Sequence, residues 1–135
     1  MTTTDTTIRK YDLLLKGGRV IDPANNIDGN FDVATSGGYI ALVDKDITPA
    51  LARTVAYVTG MVVTPGLVDL RAHFYGYFGA IFPDAHCLPE GTTTAVDAGG
   101  SGHLTFDDFN EVVIAPATTN VFALLNIAGE GMVGQ

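Results

Sequence analysis

One short segment of the chain carries the side chains best suited to metal chemistry. It reads Val63-Thr-Pro-Gly-Leu-Val-Asp-Leu-Arg-Ala-His73. Side chains two positions apart on a strand point to the same side, so His73 shares its side with the residue at position 71. The imidazole of His73 can bind a metal ion, whereas the guanidinium of Arg71 has no lone pair to offer and stays protonated. His73 is therefore a candidate metal ligand, and Arg71 on the same side cannot act as a second one.

Three further polar residues lie in or just after predicted strands. Asp69 and Asp97 can accept a hydrogen bond from a metal-ligating imidazole and so orient its ring. The alternative for Asp97 is a turn carboxylate that accepts from the amides of Gly99 and Gly100. His103 follows a strand and is a candidate substrate contact, with an ordinary turn residue as the alternative.

Two other groupings match known sites only in part. His86, Cys87 and His103 offer two imidazoles and a thiol, but their spacing fits no zinc pattern, so we expect ordinary loop and turn residues. Residues 129–134 have the form G-x-G-x-x-G after a predicted strand, as dinucleotide-binding sites do. The helix and the later acidic residue that would support a cofactor are not in this sequence, and its 16 glycines make chance matches common.

Residues 10–64 alternate short apolar runs with glycine turns. The pair Gly17-Gly18 predicts a two-residue hairpin loop, and Ser36-Gly-Gly38 turns the chain between strands at 31–35 and 39–43. This pattern predicts a small antiparallel β-domain. Residues 1–9 are predicted to be a flexible polar leader.

After Pro65 the pattern changes to strand, helix and strand. Apolar strands are predicted at 67–70, 92–98 and 121–127, with a helix over 105–114 that begins at the N-cap Thr105. Two buried strands joined through a helix form a βαβ unit, which predicts a parallel sheet covered by helices.

Charge and composition exclude several classes of protein. The net charge of −8 argues against a nucleic-acid partner, which requires a basic surface. The sequence has neither a basic leader followed by an apolar core nor an apolar run that could span a membrane, so we expect a cytoplasmic protein. The single Cys87 cannot form an internal disulfide. All seven Lys and Arg lie at or before Arg71, a distribution for which we have no physical account.

The segment Val63–His73 resembles the V-x-P-G-[LIF]-[VI]-D-x-H-x-H motif of the amidohydrolase superfamily, which includes dihydroorotase, imidazolonepropionase and many deacetylases. The Pro-Gly pair, Asp69 and His73 match, and Arg71 stands in place of the first His. Residues 11–22, 91–99 and 122–127 are similar to the opening strand and to the second and third barrel strands of these enzymes.

The resemblance implies an α/β fold with an all-β N-terminal part. A small β-sandwich portion would occupy residues 10–64. The first two to three strands and a helix of an incomplete (β/α)₈ TIM-type barrel would occupy residues 65–135, because a whole barrel takes about 250 residues.

The resemblance also implies a deacetylase-like, metal-dependent hydrolase. Such an enzyme would cleave C–N bonds in amides or cyclic amides, or related acyl bonds. Its substrate would be a small-molecule amide or ester. A divalent metal, zinc, would activate water in such an enzyme. The family's other ligands and its catalytic Asp lie on later strands, so His73 is the only ligand that can be placed here and no catalytic residue is identifiable. We therefore expect the chain to be inactive alone. The alternative is a non-catalytic remnant or interaction module that self-associates or is completed by another chain.

Overall fold

The computed structural model describes residues 9–133. The chain divides into two compact units, one ending at Pro65 and the other beginning at Gly66. The predicted leader lies outside the described residues except for Arg9, and Gly134 of the glycine motif also lies outside them.

The first unit is a mixed β-sheet. Strand β1 pairs antiparallel with β2 and β2 pairs antiparallel with β3, as predicted, whereas β4 and β5 run parallel to β1. The prediction of a purely antiparallel domain is therefore wrong at one edge of the sheet. The described residues of this unit supply one sheet, so they do not include the second layer of a sandwich. The strands are β1 (Tyr11–Asp22), β2 (Ile27–Ser36), β3 (Tyr39–Asp44), β4 (Ala52–Tyr57) and β5 (Val62–Val63), with 3₁₀ turns at Pro23–Asn25 and Pro49–Leu51.

The predicted hairpin at Gly17-Gly18 is wrong, because β1 runs through both glycines. The register between β1 and β2 shifts between Leu15 and Gly18, and Gly17 has a φ of +79°. The Oδ1 atom of Asp32 accepts from the Gly17 amide at 2.8 Å, and its Oδ2 atom accepts from Lys16 Nζ at 2.7 Å. A G1 β-bulge places a glycine at positive φ, as type I′ and II′ hairpin turns do, so the glycine pair alone does not distinguish the two.

The second unit contains a three-stranded parallel sheet in the order β6–β7–β8, which confirms the predicted parallel pairing. Its strands are β6 (Leu67–Ala72), β7 (Thr92–Gly102) and β8 (Asn120–Asn126). Helix α1 (Pro83–His86) and a 3₁₀ turn (Leu88–Glu90) join β6 to β7. Helix α2 (Phe106–Phe109) continues as a π-helix (Asn110–Ile114) and joins β7 to β8, close to the predicted helix.

The predicted N-cap of that helix does not bond as expected. Thr105 precedes α2, but its side chain makes no capping hydrogen bond. Its Oγ1 atom instead accepts from the Gly102 amide at 3.1 Å and lies 3.1 Å from the carbonyl oxygen of Glu130. Thr105 therefore forms hydrogen bonds both to the end of β7 and to the segment after β8.

The sheet of the second unit is covered on one face. Its buried core consists of Ala72, Phe74, Cys87, Ala95, Phe109 and Val113. Apolar side chains on the opposite face are exposed, including Phe122 at 61% and Leu124 at 60%. Within residues 9–133, no helix is long and apolar enough to span a bilayer.

Candidate functional site at the carboxyl edge of the parallel sheet

The carboxyl ends of β6, β7 and β8 lie at the same edge of the sheet, because the three strands are parallel. This edge carries His73 directly after β6 and His103 directly after β7. Chemistry in α/β folds with parallel strands gathers at this edge, since the loops that follow the strands converge there. His73 and His103 therefore lie along one edge of the sheet.

His73 is half-buried, and one of its two ring nitrogens has no hydrogen-bond partner among the described residues. That nitrogen, Nδ1, is buried. The ring packs edge-on against Tyr77, with centroids 5.7 Å apart. The carbonyl oxygen of His73 accepts from the Ile81 amide at 3.2 Å, which fixes the backbone beyond β6. A buried polar atom without a partner is costly, so this nitrogen is a point at which a ligand would add stability.

Arg71 lies two residues before His73 and is exposed. Its backbone amide donates to Asp69 Oδ1 at 2.9 Å. Ala72 and Phe74 belong to the buried core on the helix-covered face. The register between β6 and β7 shifts between Asp69 and Ala72, so the regular alternation predicted for positions 71 and 73 is interrupted there.

Asp97 is fully buried, and both of its oxygens accept from backbone amides. Oδ2 accepts from Phe74 at 2.8 Å and Oδ1 accepts from Gly100 at 2.6 Å. Asp69 likewise accepts from a backbone amide, that of Arg71. Within residues 9–133, neither carboxylate therefore accepts a hydrogen bond from an imidazole. Asp97 thereby holds the residue that follows His73.

The structure does not bring His86, Cys87 and His103 into one metal site. Cys87 lies in the core, whereas His86 and His103 are exposed. Burial raises the pKa of the Cys87 thiol, and the negative charges of Asp69 and Asp84 raise it further. Residues 9–133 contain no group of three or more His, Cys, Asp or Glu side chains that could hold a metal ion. The donors in this part of the chain therefore do not fit a divalent metal.

In the G-x-G-x-x-G stretch, Gly131 packs against backbone and Gly129 packs against side chains. Gly131 has a φ of +69°, and a Cβ there would lie 2.4 Å from the carbonyl oxygen of Gly100. The next amide, that of Met132, donates to the same oxygen at 2.9 Å. A Cβ at Gly129 would lie 2.9 Å from a methyl carbon of Leu104 and 3.1 Å from the His103 ring. These contacts give the two glycines a structural role in closing the segment after β8 onto the end of β7.

Sequence reasoning missed Asp84, which holds the start of β8. Its carboxylate accepts from the amides of Thr118 and Thr119, both at 2.8 Å, and from the Thr119 hydroxyl at 2.8 Å. These hydrogen bonds lower the pKa of Asp84 to about 2. The contact spans more than thirty residues of sequence, and no local pattern signals it.

Comparison with known proteins shows which family the chain belongs to. The chain is 30% identical over 127 residues to a deacetylase of Enterococcus faecalis, an alignment that covers 93% of the chain and 33% of the deacetylase. It is 39% identical over 61 residues to a dihydroorotase of Citrifermentans bemidjiense, covering 45% of the chain and 14% of that enzyme. The chain belongs to the amidohydrolase superfamily. No protein-family model matches the chain.

Solved structures of other amidohydrolase-type proteins have the same fold over most of this chain. A crystal structure of an adenine deaminase superimposes with a TM-score of 0.77 at 30% identity, over 93% of this chain and 33% of that one. A dihydroorotase gives a TM-score of 0.73 at 28% identity, over 90% and 32% respectively. A D-aminoacylase described by its binuclear metal centre gives 0.52 at 34% identity, over 64% and 18%. The chain thus spans about a third or less of the amidohydrolases that it matches.

Proposed function

We propose that this chain forms part of a metal-dependent hydrolase that cleaves C–N bonds in small-molecule amides or cyclic amides. The observation that carries the proposal is the 30% identity to a deacetylase across 93% of the chain. The position of His73 supports it, since this imidazole follows β6 at the carboxyl edge of a parallel sheet. The deacetylase relative favours an acylated small molecule as substrate, and zinc is the metal we propose.

We further propose that residues 9–133 do not hydrolyse substrates by themselves. His73 offers one nitrogen to a metal, and the donor groups described above do not complete a site around it. Arg71 adds a positive charge two residues away, where a second imidazole would be required. A protonated guanidinium repels a divalent cation and cannot ligate it.

A second candidate function is a non-catalytic interaction module. Its support is the open face of the parallel sheet, where large apolar side chains are exposed. Strands β6 and β8 are also edge strands of that sheet, and an unpaired edge can accept a strand from a partner chain. Arg71 is compatible with this function, because no metal is then required.

A chimera tests the hydrolase proposal. Residues 1–133 would replace the corresponding third of the Enterococcus faecalis deacetylase, and zinc content and deacetylation would be measured for the chimera and for its Arg71→His variant. We expect the histidine variant to be at least about a hundredfold more active, because outer partners of a metal ligand alone are worth up to that factor. His73→Ala in the histidine variant is the control and should abolish the gain. Equal activity with Arg71 and with His would disprove the assigned metal position, and an inactive histidine variant that is folded would favour the interaction module.

A further inference from the structure

We infer that the stability of the second unit is sensitive to the salt concentration, because this unit carries a large excess of negative charge. The inference concerns the folding of the 135-residue chain and does not require the proposed hydrolytic function. It predicts a second unit that opens readily at low ionic strength and is stabilised at moderate ionic strength. The first unit should respond much less.

The two units differ in their balance of charge. Residues 1–65 contain six Lys and Arg against seven Asp and Glu, whereas residues 66–135 contain a single Arg against eight Asp and Glu. Almost all of the net charge of −8 therefore belongs to the second unit. Repulsion among like charges destabilises a compact state relative to an unfolded chain, in which the same charges lie farther apart.

In the described residues, the ion pairs all lie in the first unit. Lys16 pairs with two carboxylates at 2.7 and 2.9 Å, Arg19 pairs with one at 2.8 Å, and Arg53 pairs with one at 3.7 Å. These pairs are attractive, and dissolved salt weakens exposed pairs of this kind. Salt therefore relieves little repulsion in the first unit and also removes some attraction.

The carboxylates of the second unit that form hydrogen bonds do so with uncharged donors. Asp69, Asp84 and Asp97 accept from backbone amides, and Asp108 accepts from the Tyr75 hydroxyl at 2.6 Å. Such donors satisfy the carboxylate oxygens but leave the negative charge in place. These charges therefore still repel one another when the unit is folded.

Three of the charges are concentrated on the helical segment between β7 and β8. Asp107, Asp108 and Glu111 lie on α2 and its π-helical continuation, and all three are exposed. The two aspartates lie in the first turn of α2, where the helix dipole favours a negative charge. Glu111 lies beyond that turn, and like charges three or four residues apart on a helix repel each other. Glu111 is therefore a charge whose removal should stabilise the second unit.

The test is amide hydrogen exchange of the full chain, labelled with ¹⁵N, at two ionic strengths set with sodium chloride. Between about 0.01 M and about 0.15 M, the Debye length falls from about 30 Å to about 8 Å, so repulsion between exposed charges is largely screened. We expect the protection factors of amides in β7 to rise at least about fivefold and those in β1 to change less than about twofold. Potassium chloride should act as sodium chloride does, because screening does not depend on the identity of the cation.

Glu111→Gln should raise the protection of β7 at the lower ionic strength and should reduce its response to salt. Asp28→Asn is the matched control, because Asp28 is also exposed but pairs with Arg19 at 2.8 Å. Its neutralisation removes an attraction, so it should not raise the protection of β1.

The inference is overturned if the protection of β7 does not rise with ionic strength, or if that of β1 rises equally. It is also overturned if Glu111→Gln responds to salt as the parent chain does. An effect of only one of the two salts would indicate a specific cation site and would likewise exclude screening as the cause.

Discussion

The carboxylate of Asp97 accepts a hydrogen bond from the backbone amide of Phe74 at 2.8 Å, across twenty-three residues of sequence. Its other oxygen accepts from the Gly100 amide at 2.6 Å. Asp97 thus joins the segment that follows β6 to the last residues of β7, and it does so with no exposure to solvent. The residue immediately before Phe74 is His73, so this pair sets the backbone of the candidate site.

We expect Asp97→Ala to lower the free energy of unfolding by about 2–4 kcal/mol. The substitution leaves two buried amides without acceptors, and each such loss costs about 1–3 kcal/mol. Urea denaturation followed by circular dichroism measures the change. Asp107→Ala is the control, because Asp107 is exposed and its substitution should alter the free energy by less than about 0.5 kcal/mol. Equal effects of the two substitutions would refute the role given to Asp97.

Gly131→Ala should be far more destabilising than Gly91→Ala. Both glycines lie in the second unit with positive φ, at +69° and +77°, so the backbone cost of adding a side chain is shared, at about 1–2 kcal/mol. They differ in space, since a Cβ at Gly131 would meet the Gly100 carbonyl oxygen at 2.4 Å, whereas nothing lies within 4 Å of one at Gly91. Thermal unfolding of the two variants measures the difference. Similar melting temperatures would show that the segment after β8 is not packed on the end of β7.

The free energy of unfolding should fall at acidic pH partly because the carboxylate of Asp84 becomes protonated. Its pKa is lowered to about 2 by hydrogen bonds from the amides of Thr118 and Thr119. A depressed carboxyl pKa stabilises the folded state above the unfolded value of about 3.9, and this contribution disappears as the pH falls toward 2. The advantage of the parent chain over Asp84→Asn in urea denaturation should therefore shrink between those two pH values. An advantage that stays constant over this range would contradict the assignment.

The hydroxyl of Tyr75 should ionise at a higher pH than that of an ordinary tyrosine. Its hydrogen bond to Asp108 raises the pKa of Tyr75 to about 12, with burial and the charge of Asp108 adding to the effect. A raised pKa contributes stability below the unfolded value of about 10, and this contribution is lost as the pH rises toward 12. The difference in phenolate absorbance between the parent chain and Tyr75→Phe isolates this hydroxyl. Asp108→Asn is the control and should move the transition toward pH 10; an unchanged transition would exclude the hydrogen bond as its cause.

Local patterns were sufficient to predict most of the strands and the helix of the second unit. Strand β7 begins with β-branched residues, β8 is largely apolar, and the helix lies between Thr105 and Pro116, so each element is consistent with its own composition. Their parallel pairing follows from the helical connection between them. The first unit was predicted less well. A glycine pair permits a positive φ but does not decide between a turn and a bulge, and the parallel pairing of β4 with β1 has no local signature.

The sequence by itself determined that position 71 cannot ligate a metal, because the chemistry of a guanidinium does not depend on its surroundings. It also predicted an alternation that would place Arg71 and His73 on one side of a strand, whereas the structure has a register shift between Asp69 and Ala72. Only the tertiary structure decided the partners of Asp97 and Asp84, which are backbone amides distant in sequence, and the isolation of the Nδ1 atom of His73. The physical reason is that hydrogen bonds depend on distances of about 3 Å, and the pairing of strands far apart in the chain sets those distances.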